Sequence, residues 1–247
     1  AFHIKDKDKV EVVDYGSDLL FYDAEKHTIS NILKTDDTFE TFPCWAPDGK
    51  KLYYCSAYVP EFKGQPDSIA IDLIIQRNRA VRYDIMSMTF DETTCSFGTP
   101  TLEVACAAEQ KSASVPRISP DGKYLLFTKA DFGQFHIWHR SADQWVKNLE
   151  TGEIYPLTEA NSPDVDSYHT WSSNAHWIVF ASRRLNGQYS HAFIAYIDEQ
   201  GKAHKAFLLP QVSPAHNKMR LKSYNVPELS KNRVGISQEA LKEVIYN

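Results

Sequence analysis

The sequence predicts an all-β protein, a β-propeller built from four-stranded antiparallel blades. Three observations predict it. A Pro-Asp-Gly hairpin motif recurs along the chain. A further strand pair around a polar turn follows each copy. With one insertion set aside, the copies repeat at about 50 residues, the spacing of propeller blades.

The first copy is Phe42-Pro-Cys-Trp-Ala-Pro-Asp-Gly-Lys50, continuing into Leu52-Tyr-Tyr-Cys55. The second is Val115-Pro-Arg-Ile-Ser-Pro-Asp-Gly-Lys123, continuing into Tyr124-Leu-Leu-Phe127. A degenerate third runs Tyr168-His-Thr-Trp-Ser-Ser-Asn-Ala-His176 into Trp177-Ile-Val-Phe180, with Asn174 at the Asp position and Ala175 replacing Gly. In such a turn Pro presets φ, Asp bonds back to the backbone and Gly supplies positive φ, so each copy reads as two antiparallel strands. The second pair of each unit is Ile85 to Phe90 with Thr101 to Cys106, Gln144 to Leu149 with Ile154 to Leu157, and Phe193 to Asp198 with Ala206 to Leu209. Gly-containing turns such as Glu150-Thr-Gly-Glu153 join them as hairpins. Residues 58–80, holding Pro60, Gly64 and Pro66, read as a loop insertion in the first unit.

These units place blades at 37–106, 110–158 and 164–209 within a propeller region of 1–209. A partial blade over 1–34 contributes Val10 to Val13, Leu19 to Tyr22 and Ser30 to Leu33. Three blades and a part do not close a ring, and closure is what removes exposed sheet edges. The expectation is therefore the C-terminal part of a larger propeller, or completion of the first blade by a strand around Arg220 to Tyr224. Residues 210–247 form a tail, irregular up to a short helix opened by Ser237-Gln-Glu239, with Leu241, Val244 and Ile245 on one face. That helix is expected to dock on the last blade.

Composition sets the outer limits. The 247 residues are 43% hydrophobic, 13% aromatic and 24% charged, with a net charge of −5. Disorder, collagen and coiled coil are excluded. Apolar runs such as Trp177 to Ala181 are far short of a membrane span. No block of like charge suggests a nucleic-acid surface. Ala1 to Gly16 lacks the apolar stretch of a signal peptide, and with no initiator Met the chain reads as a processed product or a fragment. The four cysteines, Cys44, Cys55, Cys95 and Cys106, bracket two turns in pairs. Two hairpin-local disulfides are one of three connectivities, and four buried thiols are the alternative.

The run Pro116-Arg-Ile-Ser-Pro-Asp-Gly-Lys-Tyr-Leu-Leu-Phe-Thr128 resembles the TolB-like propeller repeat of bacterial periplasmic proteins. The last unit, in Ser167-Tyr-His-Thr-Trp-Ser-Ser-Asn174, Phe180-Ala-Ser-Arg-Arg184 and Phe207-Leu-Leu-Pro-Gln211, resembles a Bacteroidetes-type subgroup. The resemblance covers roughly 37–209 and departs from the pattern at Ser173-Asn-Ala175 and at Gln134 to Arg140. It implies a periplasmic or outer-membrane-associated binding propeller, often one part of a longer polypeptide. It implies no defined activity.

Chemistry is sparse in the sequence. No Gly-x-Ser-x-Gly elbow or Gly-x-Gly-x-x-Gly loop occurs, Asp131-Phe-Gly133 lacks the rest of a kinase signature, and Asp164 with Asp166 lacks the rest of a calcium loop. Trp138, His139, His169, Arg183, Arg184 and Tyr189 gather rings and guanidinium forks near loops of the last two blades, a recognition set for a protein or glycan of the cell envelope. Missing N-terminal blades of a parent protein are a further candidate partner. For Trp171 the expectation is core packing. No catalytic residue, cofactor or metal is assigned. The enzyme alternative is a metal held by His136, His139 and His169: propeller-fold oligogalacturonate lyases, whose repeat this chain also resembles, use a His-held metal, although their ligand set has no residue-by-residue match here.

Overall fold

The computed structural model describes residues 16–62, 64–219, 221–233 and 235–246. Among these residues fifteen strands form a two-stranded sheet, one of five strands and two of four, all antiparallel. The two-stranded sheet is β1 (Leu19–Asp23) and β2 (Thr28–Leu33). Val10 to Val13 lie outside the described residues.

Blade 1 orders β3 (Thr38–Trp45), β4 (Lys51–Tyr58) and β5 (Asp84–Asp91), with β6 (Ser96–Phe97) and β7 (Thr101–Val104) both pairing to β5. Blade 2 orders β8 (Ser112–Ile118), β9 (Tyr124–Ala130), β10 (Asp143–Asn148) and β11 (Ile154–Pro156). Blade 3 orders β12 (Asp166–Trp171), β13 (Trp177–Ser182), β14 (His191–Tyr196) and β15 (Phe207–Leu208). The first strands lie innermost and adjacent, β3 beside β8 and β8 beside β12. This is a β-propeller architecture of stacked blades.

Burial explains the sequence pattern. In β9, Leu125 and Phe127 face blade 1 while Leu126 faces blade 3, so a continuous apolar run replaces alternation. Leu125 and Phe127 meet Cys55, Ile85 and Val104. Leu126 and Val146 meet Ile178, Phe180 and Phe193. Trp171, as expected, is core at 8% exposed, whereas Trp45 at the matching position is 41% exposed. Leu19 carries the β1–β2 sheet onto Leu52, Tyr54 and Met88 of blade 1.

The hairpin turns repeat in atomic detail. Asp48, Asp121 and Asn174 each accept a backbone N–H two residues on, and Gly49, Gly122 and Ala175 each take positive φ (71°, 75° and 61°). In the second and third copies, Ser119 and Ser172 also donate to Asp121 and Asn174 and accept from Tyr124 N and Trp177 N. Four residues before each of these serine or alanine positions (Ala46, Ser119, Ser172) lies a feature the sequence conceals. Each inner strand carries a bulge, with Phe42, Val115 and Tyr168 at φ 52°, 52° and 50°.

Several expectations are corrected. The 58–80 insertion is not a plain loop: it holds α1 (Asp67–Arg77), which buries Ala70 and Ile74 and starts behind Pro66. No strand forms in the described part of 220–224. That segment instead lies on blade 3, where Tyr224 N donates to Ser190 O, Ser190 N to Ser223 Oγ and Thr170 Oγ1 to Pro227 O. A short helix, α2 (Pro214–Met219), precedes it, and its Asn217 carbonyl lies 3.2 Å from His191 Nε2. The helix α3 (Gln238–Tyr246) forms with Ser237 Oγ accepting from Ala240 N, but it does not dock through its apolar face. Leu241 and Val244 stay 49% and 81% exposed. All four cysteines are free, so the hairpin-local disulfides do not form. Cys55 stands opposite Thr41 and Cys44 opposite Tyr53, out of register across the bulge. Cys55 and Cys106 are buried, Cys44 is half-buried and Cys95 exposed, so the all-buried alternative fails too.

Candidate functional site

The connections between the second and third strands of the three blades, 59–83, 131–142 and 183–190, lie on one rim. The Pro-Asp-Gly turns lie on the other. On that opposite rim Pro47, Asp48, Lys51, Pro120 and Asp121 help to line a cleft of about 670 Å³ between blades 1 and 2. Beneath it, Glu103 of β7 accepts from Lys51 (2.9 Å), Ser87 (2.7 Å) and Lys147 of blade 2 (2.7 Å). Burial lifts the Glu103 carboxyl, but these bonds outweigh it and hold it down at about 2. This is an inter-blade strut, already saturated.

The rim of the longer connections is different. In blade 2 the chain leaves β9 through Asp131-Phe-Gly133 and makes a tight helical turn at His136–Trp138. His136 is fully buried, with Nδ1 2.8 Å from Ser114 Oγ and Nε2 near the carbonyls of Phe132 and Gly133. Burial, with His139 nearby, pushes it down to about 3. His139 packs 4.5 Å from the Phe132 ring and 5.4 Å from His136. His169 is buried between blades 2 and 3, with Nδ1 3.4 Å from Thr128 Oγ1, and burial plus the charge of Arg117 hold it at about 3. It does not reach the rim.

The expected metal set is therefore not assembled. Among the described residues no three His, Cys, Asp or Glu side chains come together to hold a metal ion. His136 is engaged by a hydroxyl and two carbonyls, and His169 belongs to the blade interface. The residues present do not fit a metal.

The recognition set divides as well. Trp138 is 45% exposed, and Arg183 from blade 3 lays its guanidinium 4.7 Å above that ring while donating to Gly187 O. Tyr189 is half-buried in the same loop, where Asn186 Oδ1 accepts from its N–H. Arg184 turns inward instead. It donates to Asp166 Oδ1 and Ala160 O at 2.6 Å each, and lies 4.5 Å from the Phe193 ring. Asp166 is fully buried, so this pair is structural rather than a recognition fork. Asp143 nearby is lifted to about 6 by burial and by the Asp166 charge.

Residues the sequence reading passed over complete the rim. Arg79, after α1, sits 5.8 Å over Phe132. Arg82 donates to the Arg79 and Val81 carbonyls, and Arg140 is exposed. Arg79 was hidden in the insertion, whose length gave no hint of which blade it would lean on, and Arg82 and Arg140 belong to no motif.

Solved structures share this architecture. TolB from Acinetobacter baumannii is similar at 16% identity over 79% of this chain and 38% of that one, with a TM-score of 0.48. An oligogalacturonate lyase in complex with manganese is similar at 13% identity over 78% of this chain and 48% of that one, with a TM-score of 0.50. The β-propeller domain of the Trilobed protease from Pyrococcus furiosus is similar at 15% identity over 71% and 44%, with a TM-score of 0.38. This chain spans less than half the length of each, and at these identities the likeness is one of fold. No family model and no curated protein matches the sequence. No helix among the described residues is long and apolar enough to cross a membrane.

Proposed function

We propose that this chain is a non-enzymatic, TolB-like propeller module of the bacterial envelope, of the Bacteroidetes periplasmic type, that binds a protein or glycan partner through its long-loop rim. The observation that carries this is the Trp138–Arg183 stack. It is accessible, bridges the loops of two blades and leaves the guanidinium in no ion pair with a described carboxylate. An Arg held on an aromatic face keeps its charge and its donors while losing little freedom on binding. The Pro-Asp-Gly-Lys hairpins support the TolB-like and periplasmic reading, and the closed-off histidines weigh against a metal enzyme.

The test compares wild-type protein with Trp138→Ala and Arg183→Ala as bait on envelope extracts. Both variants are expected to melt with the wild type and to lose a partner that the wild type retains. Equal retention by all three proteins counts against this rim.

A further inference from the structure

Four arginines of the long-loop rim, Arg79, Arg82, Arg140 and Arg183, make no ion pair with any described residue. Two lysines of the same rim do: Lys111 pairs with Asp131 at 2.7 Å and Lys129 with Glu109. Asp131, the acid facing Arg82, is thereby occupied, and Asp164, the acid facing Arg183, forms no ion pair with it and accepts from Val165 N. Guanidinium groups held in no ion pair thus gather on one rim of a chain whose net charge is −5.

These arginines are interleaved with rings in a continuous line. Arg79 of blade 1 covers Phe132, Phe132 meets His139, and Trp138 beside His139 is covered by Arg183 of blade 3. The stripe therefore crosses three blades. Guanidinium groups parked on aromatic faces are oriented and partly desolvated without being neutralised, and their forks match carboxylates.

Resting on the binding-module reading above, we infer that this stripe is the docking track for an extended acidic segment of a protein partner, in which Asp or Glu side chains alternate with apolar ones. Charge complementarity names the carboxylate. Two features favour a peptide over an acidic polysaccharide. One face of Phe132 and one of Trp138 are already taken by arginines, which removes faces on which a sugar ring stacks. The arginines also come from three separate connections at uneven intervals, which suits carboxylates on flexible stems better than carboxylates fixed at the pitch of a glycan.

The experiment titrates the full chain with fluorescein-labelled oligoglutamate, oligolysine and polygalacturonate, reading polarisation and tryptophan fluorescence. Oligoglutamate is expected to bind, to weaken as sodium chloride rises, and to lose about tenfold in affinity in the double variant Arg79→Gln, Arg183→Gln. Arg140→Gln, at an exposed position, supplies a second variant with no folding risk. Oligolysine binding equally well, or both variants binding like wild type, overturns the inference. Polygalacturonate binding where oligoglutamate does not transfers the track to a glycan and overturns the peptide assignment. If no probe binds but Trp138→Ala still loses its envelope partner, the module reading stands and this one falls.

Discussion

Glu103 gathers three donors across the joint between blades 1 and 2, and its side chain is 9% exposed against 15% for Lys147 and 37% for Lys51. A carboxyl held near 2 in the folded protein is compared with about 4.3 when unfolded. The unfolded chain therefore takes up its proton first as pH falls. The stabilisation is complete above about 4.3 and disappears as pH drops towards 2. Removing the charge leaves the largely buried Lys147 without its carboxylate partner, so Glu103→Gln is expected to cost about 2 kcal/mol at neutral pH, after allowing for the exposure of Lys51. Urea midpoints at pH 7 and pH 3 check this: the gap between variant and wild type should shrink in acid, and a constant gap would show that the charge is irrelevant. At this scale the sequence revealed little. Glu103 meets Lys147 only because two blades stack, and Arg184 looked like a free fork because nothing local announces its buried partner Asp166.

Among the elements, the turns were the most legible. Pro-Asp-Gly has a local mechanism, and the third copy keeps it through Ser172 and Asn174 although Pro and Gly are lost. Ala175 nonetheless sits at φ 61°, where a Cβ is strained. Ala175→Gly is expected to stabilise the protein by ~0.5–1 kcal/mol, and a melting temperature that falls would sink that reading of the turn. The bulges were not legible, because Phe, Val and Tyr are poor residues for left-handed backbone and only the pairing of three neighbouring inner strands imposes it. Pro60, Gly64 and Pro66 masked α1, whose apolar Ala70 and Ile74 stand one helical turn apart. The helix α3 was read correctly from its cap, but a cap specifies a start and not a docking site.

Across the whole molecule, blades 1 and 2 are each covered on both faces, and blade 3 is covered by its own tail. Residues of the tail, including Ser223, Tyr224 and Pro227, close over Val179 and Ala192 with a cleft of about 400 Å³ between them. Ending the chain after Pro210 bares that sheet face. The truncated protein is expected to melt lower and to self-associate with rising concentration, as judged by light scattering after size exclusion. A monomer with wild-type stability would show that the tail only lies on the surface. The periodicity and stacking were readable at this scale because repetition survives local degeneracy, whereas the tail's route was not, having neither period nor motif.

The same covering has a further meaning. A sheet arriving at blade 3 finds its place taken and must first evict the strap formed by Asn217, Ser223 and Pro227. Among the described residues the two ends of the blade stack are therefore unlike, one strapped shut and the other, the β1–β2 sheet, with Leu20 and Ile29 still facing water.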